Sequence, residues 1–174
     1  MLHPSFVTYI VTSSSELAVK ATELIESLSS QSSALVLVFP MTEKSVLASC
    51  MCEKIDVMAL SEPLSEALLG YASSSRADRI ESCIEDLLQQ FKKPIVWLER
   101  IEVLFEPSLE LDPLHLLKRL ARLKPIVAMW PDVGAMSADS ISFSIPGRDD
   151  YQVYPAKVLA NIPVIQFVVP GDLQ

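Results

Sequence analysis

Three stretches of the chain, Ala34-Leu35-Val36-Leu37-Val38-Phe39, Ile95-Val96-Trp97-Leu98 and Ile126-Val127-Ala128-Met129-Trp130, are apolar at every position. A strand that reads apolar without alternation is covered on both faces, a condition met in mostly parallel sheets sandwiched between helices. The second and third stretches follow Pro94 and Pro125, residues that a strand tolerates at its first position.

Helical spacing fills the gaps between the runs. Leu17, Ala18, Ala21, Leu24, Ile25 and Leu28 recur on one stripe after serines 13 to 15, which offer N-caps. Ile80, Cys83, Ile84, Leu87, Leu88 and Phe91 form a second stripe opposite Glu81, Glu85, Asp86 and Gln89. Ser75 is expected to cap that helix, with Asp78 as the reciprocal member of a capping box and Lys92 and Lys93 at its negative end. A third helix is predicted over Leu114 to Leu123, and another from Thr42 to about Glu53 with Val46, Leu47, Cys50 and Met51 inward. Glu62 to Tyr71 is ambiguous, with Gly70 placed to end a short helix. Phe6 to Val11 and Val57 to Leu60 read as short strands. Strands alternating with helices predict an α/β fold, three-layered, with a mostly parallel sheet.

Beyond Trp130 the pattern changes to short alternating runs, Ile141 to Ile145, Tyr151 to Tyr154 and Val164 to Val168. They are read as the last strand of the sheet plus a short β appendage at the C-terminus. A single domain over residues 1–174 is expected, with an N-terminal strand and helix in 1–33, an α/β core in 34–130, and the last strand and appendage in 131–174.

Half of the 174 residues are apolar, enough for a cooperative core burying about 70% of the surface the unfolded chain exposes. The formal charge of −8 opposes broad nonspecific binding to nucleic acid, which needs a clustered excess of Lys and Arg. Cys50, Cys52 and Cys83 make neither an even set nor a C-x-x-C pair, so buried reduced thiols are expected rather than a metal site. The start, Met1-Leu2-His3-Pro4-Ser5, does not combine a basic beginning with a long apolar core, and no apolar stretch approaches the roughly 18 residues a bilayer requires. A cytoplasmic location is expected, with no membrane partner.

The run from Ala34 through Pro40-Met41-Thr42-Glu43 to Lys44-Ser45 has the layout of a phosphate-binding P-loop: strand, turn, then Lys-Ser opening a helix. Aligned on Lys44-Ser45, the two glycine positions of G-x-x-x-x-G-K-[ST] fall on Val38 and Glu43. Such a loop holds phosphate with successive backbone N–H groups in one concavity, which glycine permits. Pro40 supplies no N–H, and each non-glycine residue forced into left-handed geometry costs about 1–2 kcal/mol. Two readings of Lys44 and Ser45 follow: first-turn helix residues facing water, or a weak nucleotide site built from Lys44 and the helix N-terminus. No Ser-His-Asp order, G-x-S-x-G elbow or glycosidase-type carboxylate pair can be defended from the spacing.

The stretch from Ile95-Val96-Trp97-Leu98-Glu99-Arg100-Ile101-Glu102-Val103-Leu104-Phe105-Glu106-Pro107 to Trp130-Pro131, and the segment Pro146-Gly147-Arg148-Asp149-Asp150-Tyr151, resemble the BrxF family. Those proteins are small P-loop ATPase-like components of type 3 BREX phage-exclusion systems. The resemblance covers about half of the chain. It implies a sheet of the P-loop NTPase (AAA-like ASCE) type, ATP with magnesium, and a role beside larger phage-defence subunits. By that matching Lys44 and Ser45 fall on the P-loop lysine and hydroxyl, and Glu99 on the Walker B acid.

Three functions follow as expectations. The leading one is a non-catalytic or weakly nucleotide-binding component of a BREX system, acting through protein assembly and needing no cofactor, with homo-oligomers allowed. The second is an active Mg-ATPase with a divergent loop, using Lys44 on phosphates and Ser45 and Glu99 on magnesium. The third is a DNA-contacting accessory protein using the basic helix 114–124, where Lys118 and Arg122 are four apart and Arg119 adjoins them. A solvated surface accounts for the same cations.

Overall fold

The computed structural model describes residues 6–40 and 53–168. Six strands, β1 (Thr8–Val11), β2 (Leu35–Pro40), β3 (Ile55–Ala59), β4 (Ile95–Glu99), β5 (Ile126–Met129) and a last strand Val164–Phe167, form one sheet. All five pairings in it are parallel. Helices α1 (Ser14–Leu28), α2 (Ser61–Leu69), α3 (Arg76–Gln89) and α4 (Pro113–Leu120) cover it. Between β5 and the last strand lies a separate antiparallel sheet of β6 (Ala135–Met136), β7 (Ser140–Phe143) and β8 (Gln152–Pro155). The last strand is therefore β9, and the order across the main sheet is β1-β9-β2-β5-β4-β3.

The uninterrupted apolar runs have the expected cause. Successive side chains of a strand point to opposite faces. On one face Leu35, Leu37, Val96, Leu98, Ile126 and Ala128 share a core with Leu64, Leu68, Ile80, Ile84, Leu88, Leu114 and Leu117 of α2, α3 and α4. On the other, Val36, Val38, Trp97, Val127 and Ile165 share a core with Leu17, Ala21, Leu24, Ile25 and Leu28 of α1. The three-layer α/β expectation holds.

Several local expectations change. The appendage is an insertion ahead of β9 rather than a C-terminal extension: β9 has to return between β1 and β2 to complete the apolar centre. Ser75 does not close a capping box. The 3-10 turn Ser73–Ser75 runs straight into α3, so the Ser75 backbone is already near-helical (φ −109°, ψ −3°) and its hydroxyl donates back to the Ala72 carbonyl at 2.9 Å. The ambiguous stretch is helix α2. It ends at Gly70 as expected, though with φ −68° and no left-handed turn, and Arg76 Nε donates to the Leu68 and Tyr71 carbonyls there. Lys93 ties α3's exit to β3 instead of the helix end: its amide donates to Asp56 at 3.0 Å and its ammonium to the Ile55 carbonyl at 3.1 Å.

The caps of α1 and α4 are well formed. Ser13 Oγ accepts from the Glu16 amide at 3.2 Å while the Glu16 carboxylate accepts from the Thr12 amide at 2.8 Å, which holds that carboxyl below its usual range. Asp112 caps α4 by accepting from the His115 amide at 3.0 Å, with Pro113 in the first turn. Cys83 is buried and free, its thiol pushed up first by burial. The expected helix from Thr42 to about Glu53, with Cys50 and Cys52, lies outside the described residues but for its end. Among the described residues no helix is long and apolar enough to cross a membrane.

Candidate functional site

Because the main sheet is parallel, all six strands end at one edge, where the segments after them converge. The strand order reverses at β2. From there the chain crosses past β5 and β4 to β3, works back through β4 and β5, then passes β2 to reach β9 on the other side. In open α/β sheets the crevice at such a switch point is where ligands bind. The carboxyl end of β2 is that point, and Lys44 and Ser45 follow it in sequence, outside the described residues.

Glu99 is the last residue of β4, half-buried, two strands from β2 with β5 between. The Glu99 carbonyl accepts from the Leu60 amide at 2.8 Å, and the next carbonyl, that of Arg100, accepts from the Ser61 hydroxyl. The turn from β3 into α2 is thereby fastened to the end of β4. Arg100 is left-handed at φ 56° and ψ 47°, a conformation that costs a non-glycine residue about 1–2 kcal/mol. It redirects the chain into the 3-10 turn Ile101–Phe105, whose Ile101, Leu104 and Phe105 are buried. Glu102 sits in the same turn and is exposed.

Trp130 occupies the end of β5, between the ends of β2 and β4. Fully buried, it donates its indole N–H to the Ser142 carbonyl at 2.8 Å. Phe39 of β2 stacks on it at 5.9 Å, while Phe105 and Tyr154 meet it edge-on at 5.3 and 5.7 Å. Phe143 stacks on Phe105 at 3.8 Å. These rings fasten the appendage to the carboxyl edge of the sheet. Tyr154 also donates to Gln152 at 2.7 Å, and burial, then the nearby Asp112 carboxylate, pushes its phenol above the usual range. Gly134 lies against the same indole: a Cβ there would come within 2.4 Å of Trp130 Cδ1. Trp130 was legible as core; its role as the appendage's anchor was not, although Gly134 four residues on was a hint of a close approach.

The basic residues of α4 largely serve internal contacts. Arg119 makes a two-pronged bond to Glu81 of α3 at 2.7 and 2.8 Å, and Lys118 donates to the Val158 carbonyl at 2.8 Å. Lys124 donates to the Phe91 carbonyl at 2.6 Å. Arg122 and His115 are exposed, Arg122 just past the helix. The predicted row of cations is thus divided between packing contacts and solvent.

The Arg119 bond holds the Glu81 carboxyl below its ordinary range. A depressed carboxylate contributes stability above its unfolded pKa and loses it as pH falls through the folded value. With both side chains about two-fifths exposed, the pair is worth about 0.5–1 kcal/mol after screening. Glu81→Gln is expected to cost that amount in urea unfolding at pH 7 and to approach wild type below pH of about 4. A cost unchanged at low pH would refute the assignment.

Two notches lie on the described surface. One, of about 330 Å³, lies between α3 and α4 and is lined by Asp78, Glu81, Glu110, Asp112 and Arg119 among others. The other, wide open and of about 460 Å³, lies between Glu106-Pro107 and the Gly147–Asp150 loop. In that loop Asp150 accepts from Ser144 at 2.6 Å and Arg148 at 3.1 Å, which together lower its carboxyl. Among the described residues no group of three or more His, Cys, Asp or Glu is placed to hold a metal ion. Comparison of the chain with family models, curated proteins and solved structures finds no match.

Proposed function

We propose that the chain is a P-loop NTPase-like domain that binds nucleotide weakly or not at all and works as an assembly component of a phage-defence system of the BREX kind. The observation that carries this reading is the strand order. Lys44-Ser45 follow the switch-point strand in sequence, and an acid, Glu99, ends a strand separated from it by one other. That separation is consistent with the P-loop NTPase (ASCE) type of sheet that the resemblance to BrxF implies. The assignment to BREX rests on the BrxF-like residues 95–131 and 146–151.

Weak or absent hydrolysis is favoured by what fills the edge. Phosphoryl transfer to water needs a polar group that orients the nucleophile. The residue directly after the strand between β2 and β4 is Trp130, whose one polar side-chain atom is already given to Ser142. Beside Glu99 stands Arg100, which cannot act as a base. In sequence, Val38 and Glu43 stand where a phosphate nest needs glycine, and Pro40 between them has no N–H; Val38 and Pro40 are residues of β2.

Titration with labelled ATP, with and without magnesium, tests the nucleotide part. Little or no binding is expected, with no phosphate release above buffer, and Lys44→Ala and Glu99→Gln should leave both readings unchanged. Micromolar affinity abolished by Lys44→Ala, or turnover abolished by Glu99→Gln, would establish the Mg-ATPase instead. Co-purification with the products of neighbouring defence genes tests the assembly part, and failure to retain any of them would remove it.

A further inference from the structure

The two ends of the main sheet are built differently. At one end β3 carries Asp56 within the strand and Glu53 and Lys54 just before it, with Asp56 paired to Lys93 and Lys54 to Glu26. Charges of this kind are how natural sheets discourage another strand from adding to an edge. At the other end β1 reads Thr8-Tyr9-Ile10-Val11, with no charge, proline or bulge, and among the described residues its only strand neighbour is β9. Ile10 is 63% exposed and Val7 52%.

The ladder fixes which backbone groups face outward. Val164 donates to the Val7 carbonyl at 3.0 Å and Val168 to the Val11 carbonyl at 2.9 Å, so the odd-numbered residues of this segment face β9. Thr8 and Ile10 consequently direct their N–H and C=O groups away from the sheet.

We propose that β1 joins two copies of this chain across a two-fold axis, forming one sheet continuous through both. The spacing of the outward residues is self-complementary. In an antiparallel pair centred on Tyr9, Thr8 of each copy lies opposite Ile10 of the other, and each such pair exchanges both backbone bonds. Tyr9 then meets Tyr9 at the close, non-hydrogen-bonded position, where aromatic pairs interact. Thr8 and Ile10 fall side by side on the opposite face, covering exposed Ile10.

The flanking helix permits this approach. α1 packs over β2 and β9 rather than beyond β1. On its side toward β1, Lys20 stands 5.5 Å from the Tyr9 ring and bonds Glu23 at 2.8 Å, with Glu16 one turn before. A face bearing both signs meets its symmetry mate without a block of like charge. A four-residue edge makes a small contact, so the association is weak and reversible. This inference is independent of whether nucleotide binds.

Sedimentation equilibrium of the full chain over a concentration series tests it. The expected mass rises reversibly from 19.2 kDa toward twice that value. Thr8→Pro, which removes one N–H···O bond at each end of the symmetric contact, and, separately, Ile10→Lys, which sets a charge on each copy where an apolar side chain is covered, should each raise the dissociation constant about tenfold or more. Val57→Lys on β3, a position 40% exposed, should not. Circular dichroism checks folding, and Thr8→Pro decides if Ile10→Lys fails to fold, because the Thr8 N–H takes no part in the β9 ladder. A chain that stays monomeric at the highest soluble concentration overturns the proposal. So does a dimer that both β1 variants leave intact, or one that Val57→Lys breaks equally.

Discussion

Trp130→Ala is expected to lower the unfolding free energy by about 3–5 kcal/mol, the range for removing a large buried aromatic. Three losses add. The indole is fully buried, so its apolar area returns to water or leaves a cavity. Its ring contacts with Phe39, Phe105 and Tyr154 disappear. The Ser142 carbonyl loses the donor that satisfied it. In a domain of this size the change corresponds to a fall in Tm of about 10–15 °C. Urea unfolding followed by circular dichroism measures it, with limited proteolysis as a second readout. Cleavage between Pro131 and Pro155 should accelerate more than cleavage in α3, because the ring cluster is what docks β6, β7 and β8 on the main sheet. A loss under about 1 kcal/mol would mean that the appendage is held elsewhere.

That cluster also explains the division between what was and was not legible in the sequence. The parallel sheet was legible because burial on both faces imposes a local signature, an apolar run without alternation, on each central strand. Amphipathic helices α1 and α3 were legible for the matching reason. The place of the appendage was not. Whether Val164 to Phe167 extends the C-terminal hairpin or returns to the sheet depends on β9 pairing with β1 and β2, contacts more than a hundred residues away. The same distance hides the fate of the basic residues. Arg119 looks like a surface cation until α3 brings Glu81 against it, and Lys118 until the Val158 carbonyl arrives. Ser75 failed as a cap for a local reason, the preceding 3-10 turn, which a serine run does not announce.

The candidate site divides the same way. Glu99 was singled out by the resemblance to BrxF, as the position matching an acid that ends a strand, and it does end β4 at the carboxyl edge. That Trp130 stands between Glu99's strand and β2 is a matter of strand order, with β5 inserted between two strands that precede it in the chain. The middle of this edge is therefore filled by a residue whose position no spacing rule marks. Arg100 carries a similar lesson: its left-handed backbone is set by the need to turn from β4 into a buried 3-10 segment while holding Ser61, and arginine has no intrinsic preference for it.

Gly134→Ala is expected to be nearly as damaging for so small a change. Glycine is required here by space rather than by backbone geometry in the left-handed region. A methyl group at this position would sit 2.4 Å from Trp130 Cδ1, 2.5 Å from Nε1 and 2.7 Å from the Ser142 carbonyl oxygen, all closer than real contacts allow. The indole is boxed in by Phe39, Phe105 and Tyr154, and the carbonyl belongs to β7, so neither can yield without moving a neighbour. Overpacking of this kind costs about 1–3 kcal/mol, and strain on the Trp130–Ser142 bond places the expected value in the upper half of that range. A double-mutant cycle isolates the cause. In a Trp130→Leu background the methyl group no longer meets the indole, and the two substitutions should be less than additive by about 1–2 kcal/mol. Strict additivity would instead assign the obstruction to the β7 backbone, and the ring would lose its role as the part that fixes the turn after β5.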